Sequence, residues 1–261
     1  MKNSYKNIMP GAGPFYFEGN KTGVLMIHGG GGGTCADLKP LAEDINRKIG
    51  CTIHVPLLPG YGTTPEDLMH TTIPEWKEKL DIELKSLRKK CEKVFVGGHS
   101  FGGILTLILA SKYDLEGIFT INAALGINMF ALGLKGLAIF LIPLVRLFKK
   151  YNAVDSETLK KETKGKWIGY DKIPLNLVPK VKKLMKEAKK SLHKIECPVI
   201  LFQGRKDSMI SPSSMEFAFD KINSRTKRKV WLENSDHPIL DIPDHDLIVN
   251  KLTEFINEFN S

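Results

Sequence analysis

Ser100 has the clearest chemical potential in this chain, and it lies at the centre of Gly98-His-Ser-Phe-Gly102. The G-x-S-x-G pattern follows an apolar run and precedes an apolar helical pattern, which predicts a strand, a sharp turn and a helix. The backbone of a serine in such a turn is strained, so the neighbours must lack bulk. Four glycines supply this space: Gly97, Gly98, Gly102 and Gly103. The hydroxyl is therefore expected to stand clear of the sheet, beside the first N–H groups of a helix.

Two partners for this serine are expected later in the chain, first an acid and then a histidine. A serine hydroxyl is a poor nucleophile at neutral pH, so it needs a base to accept its proton and an acid to orient that base. Asp207 follows the apolar run Pro198–Gln203, and His237 follows the apolar run Val230–Leu232. Each lies a few residues past a predicted strand end, and we expect both on the sheet edge that carries Ser100.

Other acids and histidines fit these two roles less well. Asp220 is on a predicted helix, Asp241 lies beyond the histidine, and Asp236 is adjacent to the histidine in sequence. That adjacency places Asp236 poorly for the ring nitrogen that faces away from the serine. His245 begins a predicted helix, and we interpret it as a surface or capping residue. His99 fills the variable position of the motif, and we interpret it as a packing residue beside the site.

A glycine-rich loop near the start of the chain is suited to stabilise a negatively charged substrate oxygen. The loop reads His28-Gly-Gly-Gly-Gly-Gly-Thr34 and follows the predicted strand Thr22–Ile27. Its glycines let the backbone approach a bound ester closely and point N–H groups inward. We expect the N–H of Phe101 to be one oxyanion donor and this loop to supply the other.

A phosphate-binding turn is the alternative interpretation of this loop, because glycine-rich loops between a strand and a helix can bind anions. The spacing fits poorly, since a G-x-G-x-x-G pattern would need glycine at Thr34 or at Cys35. The next predicted strand, Thr52–Val55, does not end in an acidic residue that could hold a ribose, and no G-K-[ST] follows. We therefore do not expect nucleotide binding.

Together these motifs resemble those of the α/β-hydrolases, and more narrowly those of the small bacterial carboxylesterases related to monoacylglycerol lipases. The resemblance covers most of the chain: Leu25–Gly29, Val55–Gly62, Thr72–Trp76, the serine turn, Leu201–Asp207 and Ser235–His237. It implies Ser100 as nucleophile, His237 as base and Asp207 as orienting acid. Epoxide hydrolases and haloalkane dehalogenases are disfavoured, because their nucleophile is an aspartate.

The resemblance also implies an oxyanion hole made by the N–H groups of Phe101 and Gly30. Residue 30 is commonly bulky and apolar in those esterases, so the glycine run is a departure, and Gly31 is the alternative donor. The loop looks more like the His-Gly-Gly-Gly loop of another esterase group. That group usually carries an acidic residue before the serine, whereas this chain has His99.

The remaining pattern predicts an α/β-hydrolase fold, with a mostly parallel central sheet flanked by helices. Buried parallel strands are predicted at about 23–27, 52–56, 93–97, 117–121, 198–203 and 229–232, with a shorter strand near 15–17. Helices are predicted at about 36–48, 75–90, 101–112, 212–222 and 245–259. Because the alternation breaks, we predict a core of residues 1–121 and 195–261, and a helical cap (lid) of residues 122–194 inserted after the sixth strand.

The predicted cap has an apolar part and a basic part. Residues 129–148 are mostly apolar, but charged residues leave an uncharged stretch of only ten, shorter than the roughly 20 that a membrane span needs. We interpret this part as a helix or helix pair facing the catalytic pocket, with a membrane-surface helix as the alternative. Residues 146–194 hold fifteen Lys or Arg and five Asp or Glu, whereas the whole chain has a net charge of +9. Six of the lysines, between Lys180 and Lys190, recur on a predicted helix after Pro179. We interpret them as a solvated helix face, and peripheral contact with a lipid surface is the sharper alternative.

The sequence predicts a serine carboxylic-ester hydrolase that acts through an acyl-enzyme on short-to-medium apolar acyl esters. Two enzymatic alternatives stay open: a monoacylglycerol lipase or lysophospholipase at lipid surfaces, and an esterase for aromatic acids of the feruloyl or cinnamoyl type. A non-catalytic binding protein is disfavoured, because all three triad residues are present. The chemistry needs neither a metal nor an organic cofactor.

Composition indicates the cellular compartment and the kind of partner. The four cysteines are scattered without metal spacing or a disulfide pattern, and the first residues carry no secretory signal, so a reduced cytoplasmic protein is expected. We expect a small-molecule ester as the partner and a monomer or homodimer as the assembly. Nucleic-acid binding is not expected, because no recognised module accompanies the basic residues.

Overall fold

The computed structural model describes residues 7–129 and 148–260. The strands are Phe15–Phe17 (β1), Asn20–Ile27 (β2), Cys51–Val55 (β3), Lys93–His99 (β4), Gly117–Ile121 (β5), Tyr151–Ala153 (β6), Lys172–Pro174 (β7), Val199–Gly204 (β8) and Lys227–Leu232 (β9). Seven of them form one sheet in the order β1, β3, β2, β4, β5, β8, β9, while β6 pairs with β7. In the large sheet β1 is antiparallel to β3, and the other neighbours are parallel.

The described helices lie between these strands in the chain, except for the last, which follows β9. They are Lys39–Ile49 (α1), Pro65–His70 (α2), Ile73–Arg88 (α3), Phe101–Ala110 (α4), Ser156–Glu162 (α5), Leu177–Ser191 (α6), Ser213–Lys221 (α7) and His245–Glu258 (α8). Short 3₁₀ turns span Cys35–Leu38 and Leu192–Lys194. The start of α3 shows the local cause of such boundaries: Thr72 and Glu75 form a reciprocal capping box. At the end of α1, Gly50 adopts a left-handed conformation that stops the helix.

The predicted α/β-hydrolase fold is confirmed, and the predicted strands and main helices are found within a few residues of their expected bounds. The elements that the sequence did not predict are all short: α2, α5, β6 and β7. Segments of three to seven residues complete too few hydrophobic periods to give a clear pattern.

Parallel pairing brings the carboxyl ends of the strands to one edge of the sheet. Ile27 at the end of β2 pairs with Gly98, and His99 at the end of β4 pairs with Ile121. On the other side of β5, Gly204 at the end of β8 pairs with Leu232. The loops that follow β2, β4, β5, β8 and β9 therefore meet at this edge, which is where α/β sheets place their reactive groups.

The helix after the serine turn lies inside the core. Every residue of α4 is buried, and α4 packs against both the sheet and α6. Helix α6 falls within the predicted cap and is found where a helix was expected after Pro179, although it begins at Leu177. Its apolar side, formed by Leu177, Leu184 and Ala188, belongs to the main hydrophobic core. The sequence pattern placed α6 in the cap because the alternation of strands and helices breaks over residues 122–194.

The segment between β5 and α6 is joined to the glycine-rich loop. The Tyr170 N–H donates to the Gly32 carbonyl at 3.0 Å, and the Thr34 hydroxyl donates to the Ile168 carbonyl at 2.9 Å. The predicted cap segment follows β5, which is the fifth described strand and not the sixth. In residues 7–129 only β1 lies on the antiparallel edge of the sheet.

The prediction for residues 129–148 falls almost wholly outside the described residues. Within the two described ranges, no helix has the length and apolarity to cross a membrane.

Candidate active site

Ser100 lies in a strained turn between β4 and α4. Its φ of 53° and ψ of −111° are unusual for a residue with a side chain. A β-carbon at Gly98 would lie 2.5 Å from the backbone of Gly102, and one at Gly102 would overlap the carbonyl oxygen of Ile27. These close approaches explain why glycine stands on both sides of the serine, as the sequence predicts.

The structure brings the three predicted residues together. Nε2 of His237 lies 2.9 Å from the Ser100 hydroxyl oxygen, and Nδ1 of His237 lies 3.0 Å from Oδ2 of Asp207. Because an ionised carboxylate only accepts hydrogen bonds, Nδ1 carries the proton and donates it to Asp207. Nε2 is then free to accept the proton of the serine hydroxyl. Asp207 is only 1 % exposed and His237 only 6 %, so bulk water is largely excluded from this contact.

The Asp207 carboxylate is fully paired. Oδ1 accepts from the N–H groups of Met209 and Ile210, and Oδ2 accepts from the Gln203 side chain as well as from His237. Burial alone raises the pKa of this carboxyl, but the hydrogen bonds from His237 and the two backbone N–H groups outweigh it and hold the pKa below its ordinary value. Asp207 therefore stays ionised at neutral pH.

Asn122 connects the acid and histidine loops, and it is a site residue that was not predicted from the sequence. It follows β5, and its Oδ1 accepts from the N–H of Gly204 at 2.8 Å. Its Nδ2 lies 3.2 Å from the carbonyl of Asp236 and 3.1 Å from that of His237, and donates to both. The available signal was a polar residue directly after a buried parallel strand, at the sheet edge that carries the serine.

His99 lies beside the site, where the sequence placed it, and it also makes a specific contact. Its Nε2–H donates to the carbonyl of His237 at 2.8 Å, and the two imidazole rings lie 5.1 Å apart. Burial and the neighbouring His237 lower the pKa of His99 to about 3. The ring is therefore neutral at neutral pH and supports the backbone of the histidine loop.

The competing acids and the second histidine have other partners. Oδ1 of Asp236 accepts from the N–H and hydroxyl of Ser208 and from the N–H of His237, so it shapes the loop. Asp241 forms an ion pair with Lys166 at 2.6 Å. His245 begins α8 and contacts Asp44 at 2.7 Å. Asp220 is exposed on α7.

The glycine-rich loop lies against the serine turn. A β-carbon at Gly29 would be 3.7 Å from Cβ of Ser100, and one at Gly30 would be 3.2 Å from Cβ of Phe101. Gly31 has a φ of 72°, and a β-carbon there would meet nothing within 4 Å. The first N–H groups of α4 have no acceptor within their own helix, and the start of α4 at Phe101 lies against this loop.

His28 fixes the start of the glycine-rich loop. Its Nδ1–H donates to the Gly29 carbonyl at 2.7 Å, and its Nε2 accepts from the N–H of Leu58 at 3.1 Å. Burial lowers the pKa of His28 to about 4, so the ring is neutral at neutral pH. The neutral ring joins the glycine-rich loop to the segment after β3 and supplies no charge to the site.

The fold and this arrangement of side chains define an α/β-hydrolase of the serine esterase class. More narrowly, the chain belongs to the family described as Hydrolase_4 (serine aminopeptidase, S33), whose model matches residues 19–244. It is an enzyme, as the sequence predicts, and it falls in the esterase and lipase group of serine hydrolases.

Individual relatives agree with this assignment. A thermostable monoacylglycerol lipase from Bacillus sp. (strain H-257) is 33% identical over 249 residues, which cover 95% of each chain. A carboxylesterase from Bacillus subtilis (strain 168) is 27% identical over 248 residues, covering 95% of this chain and 97% of that one. A solved structure from work on LipS and LipT, two metagenome-derived lipolytic enzymes, has a TM-score of 0.85 at 27% identity, covering 97% of this chain and 100% of that chain.

Proposed function

We propose that the protein is a carboxylic-ester hydrolase in which Ser100, His237 and Asp207 form the catalytic triad. The observation that carries this proposal is the continuous contact from the Ser100 hydroxyl through His237 to Asp207, at 2.9 Å and 3.0 Å. The order of the three residues along the chain is the one expected for this fold. Its substrates are short-to-medium apolar acyl esters.

The first half of the reaction forms an acyl-enzyme. The Ser100 oxygen attacks the ester carbonyl carbon while Nε2 of His237 accepts the hydroxyl proton. Asp207 stabilises the imidazolium that results and keeps the proton on Nδ1. When the tetrahedral intermediate collapses, the bond to the alcohol oxygen breaks, and Nε2–H protonates that oxygen as the alcohol leaves.

The second half releases the acid. A water molecule gives a proton to Nε2 of His237 and attacks the acyl carbonyl carbon. The second tetrahedral intermediate then collapses, the bond to the Ser100 oxygen breaks, and His237 returns the proton to that oxygen. The enzyme regains its starting state, and the same histidine has served as base and acid in both halves.

Each intermediate carries a negative oxygen, for which we assign the N–H groups of Phe101 and Gly30 as donors. Gly30 is favoured over Gly31 because Gly30 lies next to Phe101, whereas Gly31 faces open space. In other enzymes, removing one such donor costs about 3 to 4 kcal/mol of transition-state stabilisation. The pair therefore supplies a large part of the expected rate enhancement.

We assign residues 122–194 to the cap of this site. The support comes from the described part of this segment, because residues 167–170 contact the glycine-rich loop that holds Gly30. Trp167 and Tyr170 are both buried there. A cover of this kind favours apolar acyl groups, since it replaces water by apolar side chains around the substrate.

Hydrolysis of p-nitrophenyl esters of graded chain length tests the proposal. We expect the wild-type enzyme to hydrolyse acetyl to octanoyl esters, with a maximum in the short-to-medium range and a decline for long chains. Ser100→Ala removes only the hydroxyl oxygen and should abolish turnover while leaving the circular dichroism spectrum unchanged. Undiminished hydrolysis by this folded variant would overturn the assignment.

A second candidate is a monoacylglycerol lipase or lysophospholipase that works at lipid surfaces. The likeness to the Bacillus sp. lipase supports it, as does the basic exposed side of α6. That side carries Lys182, Lys183, Lys186, Lys189 and Lys190. A cluster of lysines attracts anionic interfaces, and salt weakens the attraction.

Salt dependence separates the two candidates. A lipase that docks through α6 should lose activity on anionic mixed micelles as NaCl rises from 0.05 to about 0.5 M, where the Debye length is only a few Å. Activity on a dissolved p-nitrophenyl ester should change little over the same range. In the double variant Lys186→Gln and Lys190→Gln, micellar activity should fall at low salt while activity on the dissolved ester is kept. Equal salt responses on both substrates would favour the simple esterase.

A further inference from the structure

The hydroxyl of Tyr61 is a buried polar group without a hydrogen-bond partner in the described ranges 7–129 and 148–260. Tyr61 is only 1 % exposed. It lies in the Pro-Gly-Tyr-Gly segment after β3, at the end of the stretch Val55–Gly62 that shares in the family resemblance. Buried hydroxyls are nearly always paired, so an unpaired one next to a reaction site points to a partner that arrives with the substrate.

Three aromatic neighbours fix the ring of Tyr61. His28 meets it edge-on with ring centroids 5.0 Å apart, and the rings of Trp76 and Phe101 each lie 6.5 Å away. Trp76 is anchored in turn, because its indole N–H donates to the carbonyl of Pro59. The position of the hydroxyl is therefore set by packing and needs no hydrogen bond to hold it.

The hydroxyl borders the space above Gly30. A β-carbon at Gly30 would lie 3.4 Å from the Tyr61 oxygen and 3.2 Å from Cβ of Phe101. Because position 30 has no side chain, no group from that residue packs on the hydroxyl, which lies beside the two residues assigned as oxyanion donors. Burial and the neighbouring Tyr170 raise the pKa of Tyr61, so the group stays protonated and can donate.

The position of the Tyr61 hydroxyl in the site determines which part of the substrate this hydroxyl contacts. His237 must face the alcohol oxygen in order to protonate it, so the leaving group lies on the histidine side. The glycine-rich loop and Tyr61 then face the acyl group. Because Gly30 is assigned as an oxyanion donor, we expect the carbonyl and the acyl atoms next to it to lie over Gly30.

We propose that the Tyr61 hydroxyl is a specificity-determining hydrogen-bond donor, and that it favours acyl groups with an oxygen acceptor next to the carbonyl, such as alkoxyacetyl or 2-oxoacyl groups. This proposal rests on the proposed function, because it requires ester attack by Ser100. It adds a polar requirement to a pocket that is otherwise apolar. A site that offers a buried donor discriminates against an isostere without the acceptor.

Two p-nitrophenyl esters of the same size test the proposal: the methoxyacetate and the butanoate. Each kcat/KM is divided by the hydroxide-catalysed rate constant of the same ester, which removes the difference in intrinsic reactivity. We expect wild type to favour the methoxyacetate, and we expect Tyr61→Phe to reduce that preference about tenfold, in line with one lost hydrogen bond. The melting temperature of Tyr61→Phe should not fall, because the hydroxyl it removes is unpaired.

Tyr170→Phe is the matched control. Tyr170 is equally buried, but its hydroxyl is paired, since it accepts from the N–H of Thr63 and donates to the carbonyl of Gly60, both at 2.8 Å. This variant should melt at a lower temperature and keep the wild-type preference between the two esters.

The outcomes are distinct. An equal loss of kcat/KM on both esters in Tyr61→Phe would overturn the proposal and show that the hydroxyl acts on the oxyanion. An unchanged preference would also overturn it, as would a wild-type enzyme that shows no preference after correction, whether or not the variant folds. Hydrolysis of neither ester by wild type would instead overturn the proposed function itself.

Discussion

The two sides of Ser100 differ in how completely their polar groups are paired. On the acid–base side, both oxygens of Asp207 are hydrogen-bonded, and His237 contacts the acid and the serine together. On the glycine-rich side, the Tyr61 hydroxyl, Oδ1 of Asp37 and Nδ1 of His99, which lies against Gly29, lack partners within residues 7–129 and 148–260. The acid–base side is therefore complete before a substrate binds, whereas the glycine-rich side is arranged to receive one.

The two sides also differ in what holds them in place. The acid–base side depends on side-chain hydrogen bonds between loops, in which Asn122 joins the loops after β5, β8 and β9. The glycine-rich side depends on the absence of side chains, because a β-carbon at Gly30 would press on Phe101 and Tyr61. Changes to the first side should therefore affect catalysis on all substrates, and changes to the second should affect the choice among them.

The largest effect is expected for Asp207→Asn. The amide cannot accept the Nδ1–H of His237 as the carboxylate does, so the imidazole loses its productive tautomer and the imidazolium loses its counter-charge. By analogy with the equivalent change in other triads, kcat should fall by about 10⁴-fold, and equally for every ester. Stopped-assay rates on three p-nitrophenyl esters measure this. A loss below tenfold would contradict a fully paired acid–base side.

The next effect in size is on stability. Gly102→Ala should lower the unfolding free energy more than Gly31→Ala does. The new methyl group at Gly102 would overlap the backbone oxygens of Ile27 and His28, and backbone cannot move aside easily. We expect a loss of about 3 kcal/mol or more of unfolding free energy. At Gly31 the space is open and only the positive φ is unfavourable, so the loss should be about 1 kcal/mol. Urea unfolding measures both, and equal losses would contradict the account.

The smallest expected effect is on the pH dependence of the unfolding free energy. The pKa of His99 is about 6.5 when unfolded and about 3 when folded, so between these values the unfolded state binds more protons. The unfolding free energy should therefore fall as pH drops below 6.5, by about 2 kcal/mol at pH 5 from this residue. Between pH 7.5 and pH 5, the unfolding free energy of His99→Leu should therefore fall by about 2 kcal/mol less than that of wild type, as measured by urea titration. His28 is present in both proteins, so its contribution cancels, and parallel pH profiles would refute the prediction.

The positions of the three proposed triad residues were predictable because each follows a buried parallel strand. Parallel strands end at one edge, so Ser100, Asp207 and His237 could be placed together from periodicity and loop position alone. The glycines around Ser100 were predictable for a related reason, since the turn after β4 leaves no space for a β-carbon.

Other residues at the site could not be predicted in this way. Gln203 lies within β8 and reads as one position of an apolar run, and Asn122 marked only the start of the predicted cap. The significance of Tyr61 depends on Gly30, which is distant in sequence and lies close only in the fold. Such pairings arise from tertiary contacts, which leave no periodic signal in a single chain.

Covalent labelling with a fluorophosphonate probe tests the central claim most directly, because the probe reacts only with a serine whose hydroxyl is activated. Wild type is labelled at pH 7.5 and digested, and the modified peptide is identified by mass spectrometry, with Ser100→Ala and Asp207→Asn beside it. We predict a single adduct on Ser100, slower labelling of Asp207→Asn, and none of Ser100→Ala. A folded wild-type protein that takes up no label, or that carries the label on another residue, would contradict the account.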